Sequence, residues 1–375
     1  MSFSDRTLGS SRRRSPATSY ARARLRLGIA CVGTFVVLAA SLLATDAPRR
    51  LLPESTAWSP TDVGWLLALA GLYVVLSAPF DLVGGRLLES RYGRQSPGRY
   101  ARAWARGVAV HAAALVGMAL VLLVIGRAGG DDLAVAAAAG LALALVAGQE
   151  RIARTIGGVR RDGARLVSDE RAFVGGVLGL PGRDRTVAVA GYDDETAEVQ
   201  LLRREAMRRG GSRAAGVVLA VSWSVGTSAL TLLVLPGSAD SVAGLATASL
   251  WATLLSFAGL LLLPSLSRQA VLAGDRAALE AGISRAALER ALRLLDARQE
   301  DEPSRGALVE VVFHPVPALD RRLAALSRPH VDRLPRPWNT ARLALYLSWG
   351  SLGLLSRAVH CNCGRPALWV ILPGD

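Results

Sequence analysis

The sequence predicts a mainly α-helical, polytopic membrane protein: a bundle of about six spans joined to a small cytoplasmic α+β domain of metalloprotease-like type. Three observations predict it. Hydrophobic residues make up 51% of the 375 positions, mean hydropathy is +0.33, and the apolar residues are gathered into blocks. Most of those blocks approach the roughly 20 residues a helix needs to cross a hydrocarbon layer. Between them, Arg-rich and Arg-poor connections alternate.

In chain order, residues 1–26 are polar and basic, with Arg12, Arg13 and Arg14 consecutive, and read as a disordered tail. Four spans are expected within 27–148, at about 27–45, 62–84, 107–126 and 132–148, with a cytoplasmic loop at 86–106. The first is too long for a typical signal segment and has no small-residue cleavage site after it, so it reads as a retained anchor. The third and fourth are separated only by Arg127 to Asp131, as in a helical hairpin. A first cytoplasmic segment occupies 149–213, two more spans 214–265, and a second cytoplasmic segment 266–339. Within these segments Thr186 to Ala190 alternates and is β-branched, a short strand. Asp193 and Ser284 are placed to cap helices. Leu308 to Phe313 reads as extended, and a short helix follows near Asp320 to Leu326. The apolar stretch 340–356 reads as an interfacial helix or a seventh span, within a C-terminal portion covering 340–375.

The formal charge is +14, and every basic residue is Arg. In a membrane protein such an excess marks cytoplasmic loops rather than nucleic-acid binding. The tail, the 86–106 loop and the segments 149–213 and 266–339 are all Arg-rich, whereas 236–241 has no Arg. These four fall on one side only if six spans precede residue 266. That count makes the N-terminus cytoplasmic and the protein a multi-pass protein of the cell membrane, with the lipid bilayer as its first partner and no nucleic acid among the others.

With Cys31, Cys361 and Cys363 as the only cysteines, no disulfide framework can be read. His360, Cys361 and Cys363 offer metal-type donors close together, but no second pair completes a site. His111 falls inside a span, where an ionisable group invites a functional reading and a packing role is the simpler one. A nucleophile elbow, a phosphate-binding loop and a dinucleotide fingerprint are absent.

The helix before the fifth span reads Leu201-Leu202-Arg203-Arg204-Glu205-Ala206-Met207-Arg208-Arg209. With His at 204 and 208 it would be an HExxH helix, whose two His share one face at i and i+4. Two spans later comes Ser267-Arg268-Gln269-Ala270-Val271-Leu272-Ala273-Gly274-Asp275, and then His314-Pro315 with Asp320-Arg321-Arg322-Leu323. This order resembles the M48 family of membrane zinc metalloproteases, of the HtpX and Ste24 type. Arg91-Tyr92-Gly93 adds to the likeness, which covers roughly 62–326. The resemblance implies a zinc site with ligands at 204, 208 and 271, a general base at Glu205, and an Asp at 275 that helps orient a ligand.

Here the ligand positions hold Arg204, Arg208 and Val271. Arg stays protonated and Val has no donor atom, so zinc has no ligand at any of them. Glu205 keeps the general-base position without a metal to serve. The expectation is therefore an inactive pseudoprotease of this family, without cofactor, acting as a scaffold or binding protein for a membrane protein or peptide in the former substrate cleft. Asp275, with Arg268 nearby, is expected to form an ion pair with Arg204 or Arg208 in place of the metal. His314, Pro315 and Arg321 are the other motif residues. The alternatives are an active membrane metalloendopeptidase with non-standard ligands, and a transporter-like protein.

Overall fold

The computed structural model describes residues 16–91, 96–163, 165–235, 238–299, 305–327, 336–357 and 362–371. Five helices are long and apolar enough to cross a membrane. They are α1 (Pro16–Ala44), α3 (Pro60–Leu82), α5 (Pro97–Ile156), α7 (Ser212–Val234) and α8 (Val242–Glu280). Unbroken, α5 would be about 90 Å long at 1.5 Å per residue, three times the hydrocarbon thickness of about 30 Å. It is interrupted at Gly130, whose φ of 75° and ψ of −174° lie outside the helical region. A side chain would strain that backbone. Two of the six apolar blocks therefore share one helical element, and five helices account for all six. Outward-facing Val75 and Val218 present the apolar surface that lipid would cover.

Several boundaries differ from the sequence reading. Residues 16–26 begin α1 rather than belonging to a disordered tail, while 1–15 lie outside the described residues. Tyr20 and Arg24 in this turn are buried because they bind Glu89: the tyrosine hydroxyl donates to its carboxylate, and Arg24 lies 3.3 Å from Oε1. The 86–106 loop is mostly helix. After α3 the chain makes a π-helical turn, Val83–Leu87, then α4 (Leu88–Arg91), and α5 starts at Pro97. Leu308 to Phe313 is helical, in α10 (Ala307–Phe313), although its β-branched residues favour a strand. The buried Glu310 explains the override: its carboxylate accepts from the Ala318 backbone N–H at 3.1 Å and from Arg321 at 3.0 Å, fixing a helical turn against the loop that follows.

The domain between α5 and α6 (Asp194–Arg209) contains a four-stranded sheet of order β1-β2-β4-β3. The strands are β1 (Val159–Asp162), β2 (Arg165–Ser168), β3 (Gly176–Leu178) and β4 (Arg185–Val189). Only β2 and β4 pair in parallel; β1–β2 and β3–β4 are antiparallel. Helices α9 (Arg285–Gln299) and α11 (Leu319–Ala325) complete it, α9 burying Leu288, Ala291, Leu292 and Leu295.

The stretch at 340–356 is neither a span nor an interfacial helix. It holds a short helix, α12 (Thr340–Leu347), and then irregular chain, and both are enclosed by the bundle. Irregular backbone at membrane depth must be satisfied by protein. Here Ser249 donates to the Leu352 carbonyl at 2.6 Å, Tyr73 to the Leu354 carbonyl at 2.9 Å, and the Leu354 N–H to Thr253 Oγ1 at 3.1 Å. The chain then returns to the sheet end. There Asp81 receives Arg357, the Gly364 N–H at 2.8 Å and Trp104 Nε1 at 3.0 Å, while Arg365 reaches Glu89 at 2.7 Å. His111 sits within this re-entrant segment's packing, its ring 4.5 Å from Trp349 and its Nε2 3.3 Å from Ser356 Oγ, which is a packing role.

Candidate functional site

The motif residues meet where α6 crosses the part of α8 that extends beyond the bundle. Asp193 starts α6: its carboxylate accepts the Thr196 N–H at 2.7 Å and the Thr196 hydroxyl at 3.1 Å. Those bonds, the backbone one first, hold its carboxyl below the ordinary aspartate value. The cap sets the helical phase, and the phase decides which side chains turn inward. Val199, Gln200, Arg203, Arg204 and Met207 are buried. Two arginines therefore lie on the inner face.

Arg204 is only 1% exposed and Val271 only 2%. The Arg204 guanidinium lies under the Trp338 ring, 5.1 Å from its centroid, and donates to the carbonyls of Val174 at 3.2 Å and Gly175 at 3.4 Å. Gln200 donates to the same Val174 carbonyl. Val271 belongs to an apolar cluster with Val177, Met207, Ala270, Val316 and Trp338. Trp338 is anchored by its own N–H, which donates to the Ser212 carbonyl at 3.1 Å. Its carbonyl lies so close to Gly216 that a Cβ there would overlap it. The indole ring thus covers Arg204 and closes the apolar cluster around Val271.

Arg208, one turn further along the same side of α6, reaches the surface where Arg204 is buried. Its side chain is 37% exposed and lies 3.5 Å from Asp184 and 3.4 Å from Glu205. Glu205 also meets Arg209 at 2.6 Å, so the residue at the general-base position takes part in ion pairs along its own helix.

Asp275 is buried and faces α6, but its partners are not Arg204 or Arg208. Arg203 Nε lies 2.8 Å from Oδ1. Arg322 makes a bidentate pair, Nε to Oδ2 at 2.8 Å and a terminal nitrogen to Oδ1 at 2.6 Å. One carboxylate therefore ties α6, α8 and α11 together. The expected choice was wrong by one residue, and one residue is about 100° of helix. Arg268 is half-buried and makes no pair with Asp275. His314 ends α10, its N–H donating to the Glu310 carbonyl at 3.1 Å, and Pro315 is buried in the turn after it. Arg321 pairs with Glu310 at 3.0 Å, not with Asp275.

Sequence reasoning missed Arg203, Arg322 and the covering role of Trp338. Arg322 carried a signal: Arg322-Leu323-Ala324-Ala325-Leu326 fits the Arg-Ile-x-Ala-Leu ending of the motif that the resemblance implies if two extra residues are allowed after His314-Pro315. Arg203 and Trp338 carried none, since an Arg beside an Arg and a Trp at an apparent boundary have ordinary explanations.

Zinc does not fit these residues. Two of the three ligand positions are cations and the third is a hydrocarbon, and no group of three His, Cys, Asp or Glu side chains suited to a metal occurs among the described residues. His360 and Cys361 lie outside the described residues, as do Tyr92 and Gly93. Cys363 is buried in the same cluster as Cys31.

No family profile matches the sequence, and no curated protein matches it. Among solved structures, the crystal structure of S. mikatae Ste24p superposes on this chain with a TM-score of 0.59 at 15% identity, covering 82% of this chain and 87% of Ste24p. The chain has the Ste24 fold. That fold is a polytopic, mainly helical membrane architecture. At this identity the likeness to Ste24p concerns architecture alone.

Proposed function

We propose that this protein is a catalytically inactive relative of Ste24-type membrane peptidases, a pseudoprotease without a resident metal that acts by binding. One observation carries the reading: the position of the first zinc ligand holds Arg204, buried beneath Trp338 and hydrogen-bonded to backbone carbonyls. A metal would have to displace both the ring and a cation. The Glu205 carboxylate is engaged by Arg208 and Arg209 along its own helix, which favours a structural role over that of a base. Trp338 packed over Arg204 supports a binding rather than a catalytic use of this region. The sheet end of the bundle and the N-terminus face the cytoplasm in this reading, on the strength of the Arg distribution.

Metal analysis of protein purified in detergent, after incubation with zinc, tests the proposal alongside a peptidase assay. Zinc far below one per chain and no cleavage are expected. About one zinc per chain together with chelator-sensitive cleavage would overturn the reading.

A further inference from the structure

The end of the bundle remote from the sheet contains an apolar cavity that the residues above do not use. Its volume is about 430 Å³, within the range of roughly 300–1,000 Å³ in which small-molecule sites fall. It lies among α1, α3, α5 and α8 and is bordered by α2 (Ala47–Leu51). Phe35, Leu66, Leu115 and Leu245 form its buried wall, and Leu51, Trp65 and Leu72 stand exposed at its mouth. Of the three lining residues with polar side-chain atoms, Tyr73 and Ser249 already donate to carbonyls of the re-entrant segment. The third, Trp65, is at the mouth. Water would find few partners inside, and an empty void of this size forfeits contacts along every wall.

Helix α2 sets the chemistry of the rim. Ala47, Pro48, Leu51 and Leu52 line the cavity, and between them Arg49 and Arg50 are exposed. Neither guanidinium has a hydrogen-bond or ion-pair partner among the described residues, even though Asp46 and Glu54 flank the helix. Arg127, at the same end, is by contrast fully engaged: it meets Asp62 at 2.7 Å, the Asp240 carbonyl at 2.7 Å and the Ser55 carbonyl at 2.8 Å. Arg at this end runs against the bias that gathers Arg at the other. A hydrocarbon-lined cavity beside two unengaged guanidiniums at the bundle's rim complements an acyl chain joined to a phosphodiester.

We propose that this cavity is a phospholipid site, with an acyl chain against Phe35, Leu66, Leu115 and Leu245 and the phosphodiester held by Arg49 and Arg50.

The full chain, delipidated in detergent, is titrated in native mass spectrometry with dioleoylphosphatidylglycerol and with dioleoylglycerol, which share their chains and differ in the phosphate. Wild-type protein should retain about one phosphatidylglycerol per chain and prefer it to dioleoylglycerol. Arg49→Gln combined with Arg50→Gln should weaken phosphatidylglycerol retention by about thirtyfold and leave dioleoylglycerol unchanged. Ala246→Trp fills the cavity and should weaken both, while Val218→Trp, on the exposed face of α7, should weaken neither. If Ala246→Trp lowers the melting temperature, the smaller Ala246→Leu replaces it. Equal binding of the two probes, or an unaffected double Gln variant, overturns the phosphodiester assignment. Unchanged binding after the cavity is filled overturns the site itself.

Discussion

Replacing Asp275 by Asn should destabilise the protein more than any comparable isosteric change. The carboxylate is buried, as are both guanidiniums that meet it, and three contacts of 2.8, 2.8 and 2.6 Å converge on its two oxygens. Asn keeps the shape, removes the charge, and turns an N–H₂ toward a cation. Breaking a buried pair from one side costs about 3–5 kcal/mol, because the partners stay buried and uncompensated. Here two cations are stranded, which puts the loss at the upper end of that range. The assay is thermal unfolding in detergent, where a fall on the order of 10 °C is expected. A second variant separates charge from packing. Arg203→Met, Asp275→Leu and Arg322→Leu together remove all three charges, and buried ion clusters replaced by well-packed apolar groups are often neutral in stability. The triple variant should recover most of the loss. If Asp275→Asn stays within about 1 °C of wild type, the carboxylate is not holding α6, α8 and α11 together.

Trp338→Ala should cost about 3–5 kcal/mol and open Arg204 to solvent, measurable as lower thermal stability and faster amide exchange in α6. Arg127→Gln leaves the buried Asp62 unpaired and should cost about 3 kcal/mol, whereas adding Asp62→Asn should cost less than the sum of the two single changes. In a background without native cysteines, Arg165→Cys and Arg293→Cys should both resist a membrane-impermeant maleimide added to intact cells. Labelling of both from outside would reverse the proposed orientation.

The spans were legible because a bilayer demands length and hydropathy, and composition records both. Their depth in protein was not. Residues 340–356 carry the same apolar signal as a span, and hydropathy does not distinguish a segment surrounded by lipid from one surrounded by other helices. The decisive facts were the hydroxyls of Ser249 and Thr253, some hundred positions away, which satisfy its backbone. The candidate site was legible as a set of positions and illegible as a set of pairs. Arg203 and Arg204 are adjacent letters, yet the helical phase set from Asp193 sends one to a carboxylate and the other beneath an indole. In α10 the β-branched residues pointed to a strand, and a single buried glutamate reversed the outcome.

A part of the chain synthesised after all five membrane-crossing helices fills the middle of the bundle. Spans enter the bilayer in order, and domains form from the N-terminus as the chain emerges. The groups that receive residues 338–357 and 362–371, among them Tyr73, Asp81, Glu89 and Ser249, are synthesised before those residues. Until they arrive, the assembling protein has an open seam lined with polar groups. Closure of the bundle therefore follows insertion of the spans, and a chain interrupted before residue 338 leaves that seam exposed to any machinery that inspects unfinished membrane proteins.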